Sequence, residues 1–249
     1  MNVRLYSMPG SHAAMTGQLL FDYKGVSYKR TDLLPVVSWV VLKALRFPDR
    51  TVPAAMIDGE RVQGTRAIAR ELDRRQPEPA LFPSDPERRR AVEEAERFGD
   101  EELQQRVREI FLWCARKDRS GLVGYLEGGK IGMPHGLAAR TAGPFIALDA
   151  RARGATDDNV RQAISVLPGM LQRIDDWIEE GVLGGDPPNA ADLQIAPSLR
   201  LAMSLDDLRP GIEGRPAAGL ATRIVPHFPG RTPAVLPPEW LEPIAAPAR

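Results

Sequence analysis

Four prolines crowd residues 77–86, in Gln76-Pro77-Glu78-Pro79 and Pro83-Ser84-Asp85-Pro86, and they separate two stretches of chain with different periodicities. Prolines this close together stop helices and hold the backbone extended, so residues 77–86 are expected to form a linker. Ahead of it, short strand-like and helical patterns alternate; behind it, the periodic stretches are helical. A chain of 249 residues is long enough for two compact cores, and its hydrophobic content of 43% is that of ordinary globular proteins.

In the first stretch, Val3 to Ser7 has strand character and ends at Met8-Pro9-Gly10, a turn signal that releases a helical pattern from His12 to Tyr23. Val26 to Thr31 reads as a second strand, and the apolar run Val36 to Leu45 as a short helix. Pro53 opens a third strand, Ala54 to Ile57, which Asp58-Gly59 folds back onto Arg61-Val62 as a hairpin. Helical spacing from Thr65 to Arg75 completes the order βαβαββα within residues 1–76.

Beyond the linker, Glu87 to Lys117 carries Val92, Ala95, Phe98, Leu103, Val107, Ile110, Phe111 and Cys114 in a pattern that fits one long amphipathic helix with a bend at Gly99. Residues 120–136 are glycine-rich and read as an irregular insertion, followed by a helix over Leu137 to Arg153. Thr156 to Glu180 repeats apolar residues every three or four positions, with Asp157 and Asp158 at its positive end and Pro168 expected to kink it. The helical region is expected over residues 87–225, and the proline-rich tail 226–249 is expected to lie extended on the surface.

Charge excludes several functions. Lys+Arg and Asp+Glu balance at 33 each, so no net field draws the chain to nucleic acid or an anionic membrane. The longest apolar runs fall far short of the roughly 20 residues that span a bilayer. Strand-like sequence begins at Val3, which leaves no room for a secretory leader, so a cytoplasmic location is expected. One cysteine, Cys114, and three scattered histidines give neither a disulfide framework nor a metal spacing.

Four motifs carry a resemblance. Leu5-Tyr6-Ser7-Met8-Pro9-Gly10-Ser11-His12 resembles the first strand and active-site turn of glutathione S-transferases of the delta, theta and beta types. Val52-Pro53 stands at the family's Val-Pro dipeptide, whose proline is cis, and Gln63-Gly64-Thr65-Arg66-Ala67-Ile68 at its Glu-Ser-Arg-Ala-Ile segment, which holds the γ-glutamyl end of glutathione. Leu183-Gly184-Gly185-Asp186, leading to Asn189 and Asp192, is similar to the family's glycine turn and N-capping box. The order and spacing are the family's. The resemblance implies a thioredoxin-like α/β N-terminal domain, an all-α C-terminal domain and a two-fold homodimer.

It also implies a chemistry: conjugation of glutathione, or another low-molecular-weight thiol taken as co-substrate, to an apolar electrophile in a detoxification role, with no permanently bound cofactor and no metal. Ser11 is the implied thiolate stabiliser, at a turn where free N–H groups and the positive helix end favour S⁻; as a residue, serine there also caps the helix. The implied thiol-binding set is Ser11, His12, Val52, Pro53, Gly64 and Thr65, and the implied electrophile pocket is Tyr6, Phe111, Trp113 and Cys114. Tyr6 is a rival hydroxyl donor or a packed strand aromatic; Phe111, Trp113 and Cys114 read equally as core. A histidine at a helix start such as His12 is more often solvated than functional. Two positions depart from the family pattern. Gly64 replaces the acidic residue, so no carboxylate is available at that position for the γ-glutamyl ammonium. His12 replaces the cysteine of beta-type enzymes, which removes their covalent redox chemistry. The alternative is a catalytically silent binding or structural protein on the same fold.

Overall fold

The structure is a computed structural model in which residues 1–245 are described. Strand β1 (Val3–Ser7) lies centrally, with β2 (Lys29–Asp32) parallel on one side and β3 (Ala54–Ile57) antiparallel on the other, and β4 (Glu60–Gln63) closes the sheet in the order β2-β1-β3-β4. The β3–β4 hairpin turns at Asp58 and Gly59, both with positive φ (48° and 90°), the geometry that favours this dipeptide. The Asp58 carboxylate also accepts from the N–H of Asn2 at 2.7 Å, so the turn pins the N-terminus.

Helices α1 (His12–Tyr23) and α3 (Thr65–Arg75) pack together against one face of the sheet. Helix α2 (Val37–Ala44) belongs to a smaller cluster in which Leu42 packs with Tyr6, Leu33, Phe47 and Ala54. Gly17 lets α1 approach the chain before β3 closely, since a Cβ there would stand 2.8 Å from the Cβ of Pro53. This is the expected βαβαββα order, and the described chain behind it forms the expected all-α part.

Lys24 fastens the linker. Its ammonium is fully buried, donating to Asp73 Oδ1 at 2.8 Å and to the carbonyls of Gln76 (2.7 Å), Pro77 (3.3 Å) and Pro79 (2.6 Å). Asp73 also accepts from the N–H of Leu81 at 2.9 Å. A proline-rich segment with few amide donors of its own is thus held through its carbonyls by one cation. One continuous apolar core then runs from Leu5, Leu20 and Ile68 into the helices, through Phe98, Ile110, Leu167 and Leu199.

The long helix after the linker has three parts: α4 (Pro86–Phe98), a π-turn over Gly99–Leu103, and α5 (Gln104–Lys117). The glycine-rich region and the helix expected after it differ from expectation. A short α6 (Leu122–Tyr125) interrupts the insertion, and α7 (His135–Thr141) and α8 (Gly143–Ala152) replace a single helix, since Gly143-Pro144 breaks the pattern. Helix α9 (Asp157–Glu179) runs through Pro168. Helix α10 (Ala190–Met203) opens with a complete capping box: Asn189 Oδ1 accepts from the N–H groups of Ala191 and Asp192, while buried Asp192 accepts from Asn189 N–H at 2.9 Å and Gly184 N–H at 2.8 Å. Short helices α11 (Arg209–Ile212) and α12 (Pro216–Ile224) follow.

The tail is not a surface strap. Phe228, Leu236, Trp240 and Ile244 are buried in the main core, the last two on α13 (Pro238–Ala245), and the Trp240 ring lies 5.3 Å from that of Trp113. Thr232 exchanges backbone hydrogen bonds with Ser204 and Asp206. The prolines prevent long helices there, but the aromatic residues between them have apolar area to bury. The expected tail's last four residues, 246–249, lie outside the described residues. Among the described residues no helix is long and apolar enough to cross a membrane.

Candidate functional site

A cleft of about 410 Å³ opens between the sheet domain and helices α5 to α8. Ser11 stands on its sheet-domain wall as the N-cap of α1, with extended backbone (φ −80°, ψ 117°). Its Oγ accepts from the N–H of Ala14 at 3.3 Å, a long capping bond that leaves the hydroxyl proton free. A serine hydroxyl is one donor and two acceptor positions, so capping and donation to a ligand are compatible.

Val52, Pro53, Gly64 and Thr65 line the same wall, and the Val52–Pro53 bond is cis. Gly64 caps α3 without a side chain at φ +88°, a backbone state that an acidic residue would occupy only with strain. A different carboxylate stands in the same cleft. Asp100, on the π-turn, lines the cleft and accepts from Thr65 Oγ1 at 3.2 Å and from Gln104 Nε2 at 3.0 Å. Burial raises its carboxyl above the ordinary value, opposed by those hydrogen bonds and by Arg66.

His12 differs from the expectation of a solvated helix start. Only 3% of it is exposed, because α1 packs on α10 and places Nδ1 3.0 Å from Ser198 Oγ. Its Nε2 is buried with no hydrogen-bond partner among the described residues. Burial first, and the nearby Arg108 guanidinium second, hold its pKa well below the ordinary 6.5, so the ring is neutral.

The opposite wall is built by one stripe of α5 and by the short helices. Gln104, Arg108 and Phe111 lie at i, i+4 and i+7 and all reach the cleft. Arg108 donates to Gln104 Oε1. Burial, and then the like charge of Arg153, draw its pKa down to about 10 against the opposing pull of Asp149, Asp100 and Glu109. Arg153 pairs with Asp149 at 3.5 Å on α8. Tyr125 of α6 also lines the cleft, but its hydroxyl is committed to Ser204 Oγ (2.7 Å) and Thr232 Oγ1 (2.9 Å), and burial pushes its phenol up.

The structure thus brings Ser11, His12, Val52, Pro53, Gly64, Thr65 and Phe111 together around one cleft. Tyr6, Trp113 and Cys114 are not among its lining residues. Tyr6 points to the other side of the sheet, edge-on to Phe47 at 5.7 Å. Trp113 donates to Asp157 Oδ1 at 2.8 Å, and Cys114 is fully buried in the core, which pushes its thiol up to about 12. Both sit beyond the stripe of α5 that faces the cleft, two and three positions past Phe111. Asp100 and Arg108 are the residues sequence reasoning missed. The spacing of Asp100, Gln104, Arg108 and Phe111, by four, four and three residues, is the readable signal.

Comparison with known proteins bears on this geometry. Residues 5–80 match the family described as glutathione S-transferase, N-terminal domain. No curated protein sequence matches the chain. Among solved structures, the beta-etherase LigF from Sphingobium sp. strain SYK-6 is 18% identical with TM-score 0.61, the match covering 100% of this chain and 97% of that one. A glutathione S-transferase from Rhodospirillum rubrum is 18% identical with TM-score 0.57, covering 96% and 98%. A glutathione S-transferase from Methylobacterium radiotolerans, in complex with glutathione sulfonate, is 17% identical with TM-score 0.53, covering 90% of each chain. At these identities the likeness is one of fold. Residues 5–80 thus belong to the glutathione S-transferase N-terminal domain family, and the chain as a whole, with its helical part, shares the fold of the solved glutathione S-transferases.

Proposed function

We propose that the protein is a glutathione-dependent transferase in which the Ser11 hydroxyl stabilises the thiolate of a bound thiol. The observation that carries this reading is the position of Ser11: its Oγ caps α1 on the cleft wall that also presents Val52, Pro53, Gly64 and Thr65. The co-substrate thiol loses its proton to solvent, and Ser11 O–H and the positive end of α1 favour the resulting S⁻. The thiolate then attacks the electrophilic carbon; the C–S bond forms, and the leaving group departs with the electron pair of the broken bond. Asp100 takes the place of the absent acidic residue at Gly64 and receives the γ-glutamyl ammonium. The glutathione sulfonate held by the Methylobacterium relative supports a tripeptide thiol as co-substrate.

A silent binding protein is the second reading, favoured by one observation: the Thr65–Asp100–Gln104 network is already satisfied without a ligand. Calorimetry with glutathione, followed by turnover of a general aromatic halide, separates the two. Binding with turnover supports the transferase. Binding without turnover leaves the silent protein, and absence of binding to any cellular thiol removes the thiol site.

A further inference from the structure

One charge in the cleft is left over. Three guanidinium groups line it, Arg50, Arg108 and Arg153, against two carboxylates, Asp100 and Asp149. Arg153 pairs with Asp149, Asp100 serves Thr65 and Gln104, and Arg50 is exposed to solvent. Arg108 has protein packed around it yet makes no ion pair among the described residues; its guanidinium meets only the neutral amide oxygen of Gln104. Desolvating a cation without a counter-charge is costly, and Arg108 remains charged at neutral pH, since burial brings its pKa down only to about 10.

Its surroundings narrow what the missing partner is. Arg108 lies within electrostatic reach of His12 at the head of α1 and of Arg153 and Asp149 on α8, so it stands between the thiol turn and the far wall. The cleft around it is apolar, lined by Phe111, Leu122, Ala142 and Ile146. A planar guanidinium fork in such a setting matches a carboxylate in two-pronged geometry. We infer that Arg108 anchors a carboxylate on the ligand that fills the helical half of the cleft, so that the second substrate is an apolar electrophile bearing one carboxylate. This rests on the transferase reading of the same cleft.

The test uses para-nitrobenzoate and its neutral amide as unreactive probes, titrated calorimetrically into wild type, Arg108→Met and Arg108→Lys, with and without glutathione. In wild type the acid should bind about ten- to hundredfold more tightly than the amide, the worth of a hydrogen-bonded charge pair. Arg108→Met should erase that preference and Arg108→Lys should keep part of it. Amide binding should stay level in all three proteins, which shows an intact cavity. Equal binding of acid and amide by wild type, or a preference that survives Arg108→Met, overturns the inference. So does acid binding that glutathione abolishes, because the guanidinium then belongs to the thiol's own carboxylates. Turnover of para-chloro-meta-nitrobenzoate, with chloride released, judges the transferase reading separately. If that reaction fails while the acid preference stands, the anion anchor is upheld and the transfer chemistry is not.

Discussion

Ser11→Ala removes a hydroxyl that caps α1 and that the proposed function also makes the donor to a thiolate, and the two losses can be estimated apart. As a cap, Oγ accepts from Ala14 at 3.3 Å, so the cost should fall near the bottom of the usual range, about 0.5 kcal/mol or 1–2 °C in melting temperature. As a donor to a thiolate it is worth about 1.5–3 kcal/mol, or one to two pKa units. A thiol of ordinary pKa about 8.5 would then titrate at about 6.5–7.5 in the wild type and return towards 8.5 in the variant. Near pH 7 the ionised fraction drops about eight- to twenty-fivefold, which the greater nucleophilicity of a more basic thiolate trims to a rate loss as small as about threefold. Above about pH 9 the thiol is mostly ionised in both proteins, so the loss should vanish and then reverse, the more basic thiolate of the variant being the better nucleophile. Of the other lining groups, His12 is neutral throughout, Arg108 titrates only at about 10, and Asp100, raised by burial, is common to wild type and variants; Glu96, pushed up to about 7 by burial, faces Arg66 and Arg70 instead of the cleft. The assay is the pH dependence of conjugation of an aromatic halide by wild type, Ser11→Ala and Tyr6→Phe. An unmoved inflection in Ser11→Ala refutes the assignment, as does a shift that appears in Tyr6→Phe instead, since Tyr6 is buried against Phe47.

Other outcomes follow from features away from the thiol turn. Lys24→Met should cost about 3–5 kcal/mol, because it strands Asp73 and three linker carbonyls, and urea unfolding would show it; a change below about 1 kcal/mol would mean that the clamp is idle. Asp192→Ala should cost about 0.5–2 kcal/mol, because it withdraws the carboxylate from the half-buried N–H groups of Gly184 and Asn189, and an unchanged melting temperature would argue against the box. We also propose a two-fold dimer with the first domain of each subunit against the second domain of the other; sedimentation at micromolar concentration should give a single species of twice the 27.4 kDa chain mass, and a monomer would count against it.

The elements that could be read from the sequence are those whose signals are local. Asp58-Gly59 forces its own hairpin, Thr65 to Arg75 carries its own periodicity, and Asn189 with Asp192 caps α10 through bonds spanning three residues. What could not be read depends on distant partners. His12 is buried only because Ser198, 186 residues away, comes to meet it. Tyr6 faces away from the cleft because α2 covers that side of the sheet, and the aromatic residues of the tail fold inward because Trp113 and Tyr125 offer them rings to pack on. Of the cleft, the sheet-domain wall was legible, since its turn residues are contiguous in sequence. The helical wall was legible only in part, at Phe111 and its stripe of α5, because the rest is brought in by short helices whose places depend on distant packing.

The π-turn has a consequence for how such a site can change. Buried apolar side chains on the long helix fall at Val92, Ala95 and Phe98 and resume at Leu103, Val107 and Ile110, a step of five across the turn, where only the side-chain-less Gly99 is buried and regular winding takes three or four. The helix therefore carries one surplus residue, absorbed within a single turn, with both core faces still aligned on either side of it. A one-residue deletion there, for instance of exposed Glu101, should let the winding become regular without unseating Phe98 or Leu103, while Asp100 turns away from Thr65. Melting should shift little and glutathione affinity should fall. The site is in this respect a modular addition to the scaffold: a single inserted codon can present a carboxylate to the cleft, and a single lost codon can withdraw it, leaving the core to go on folding as before.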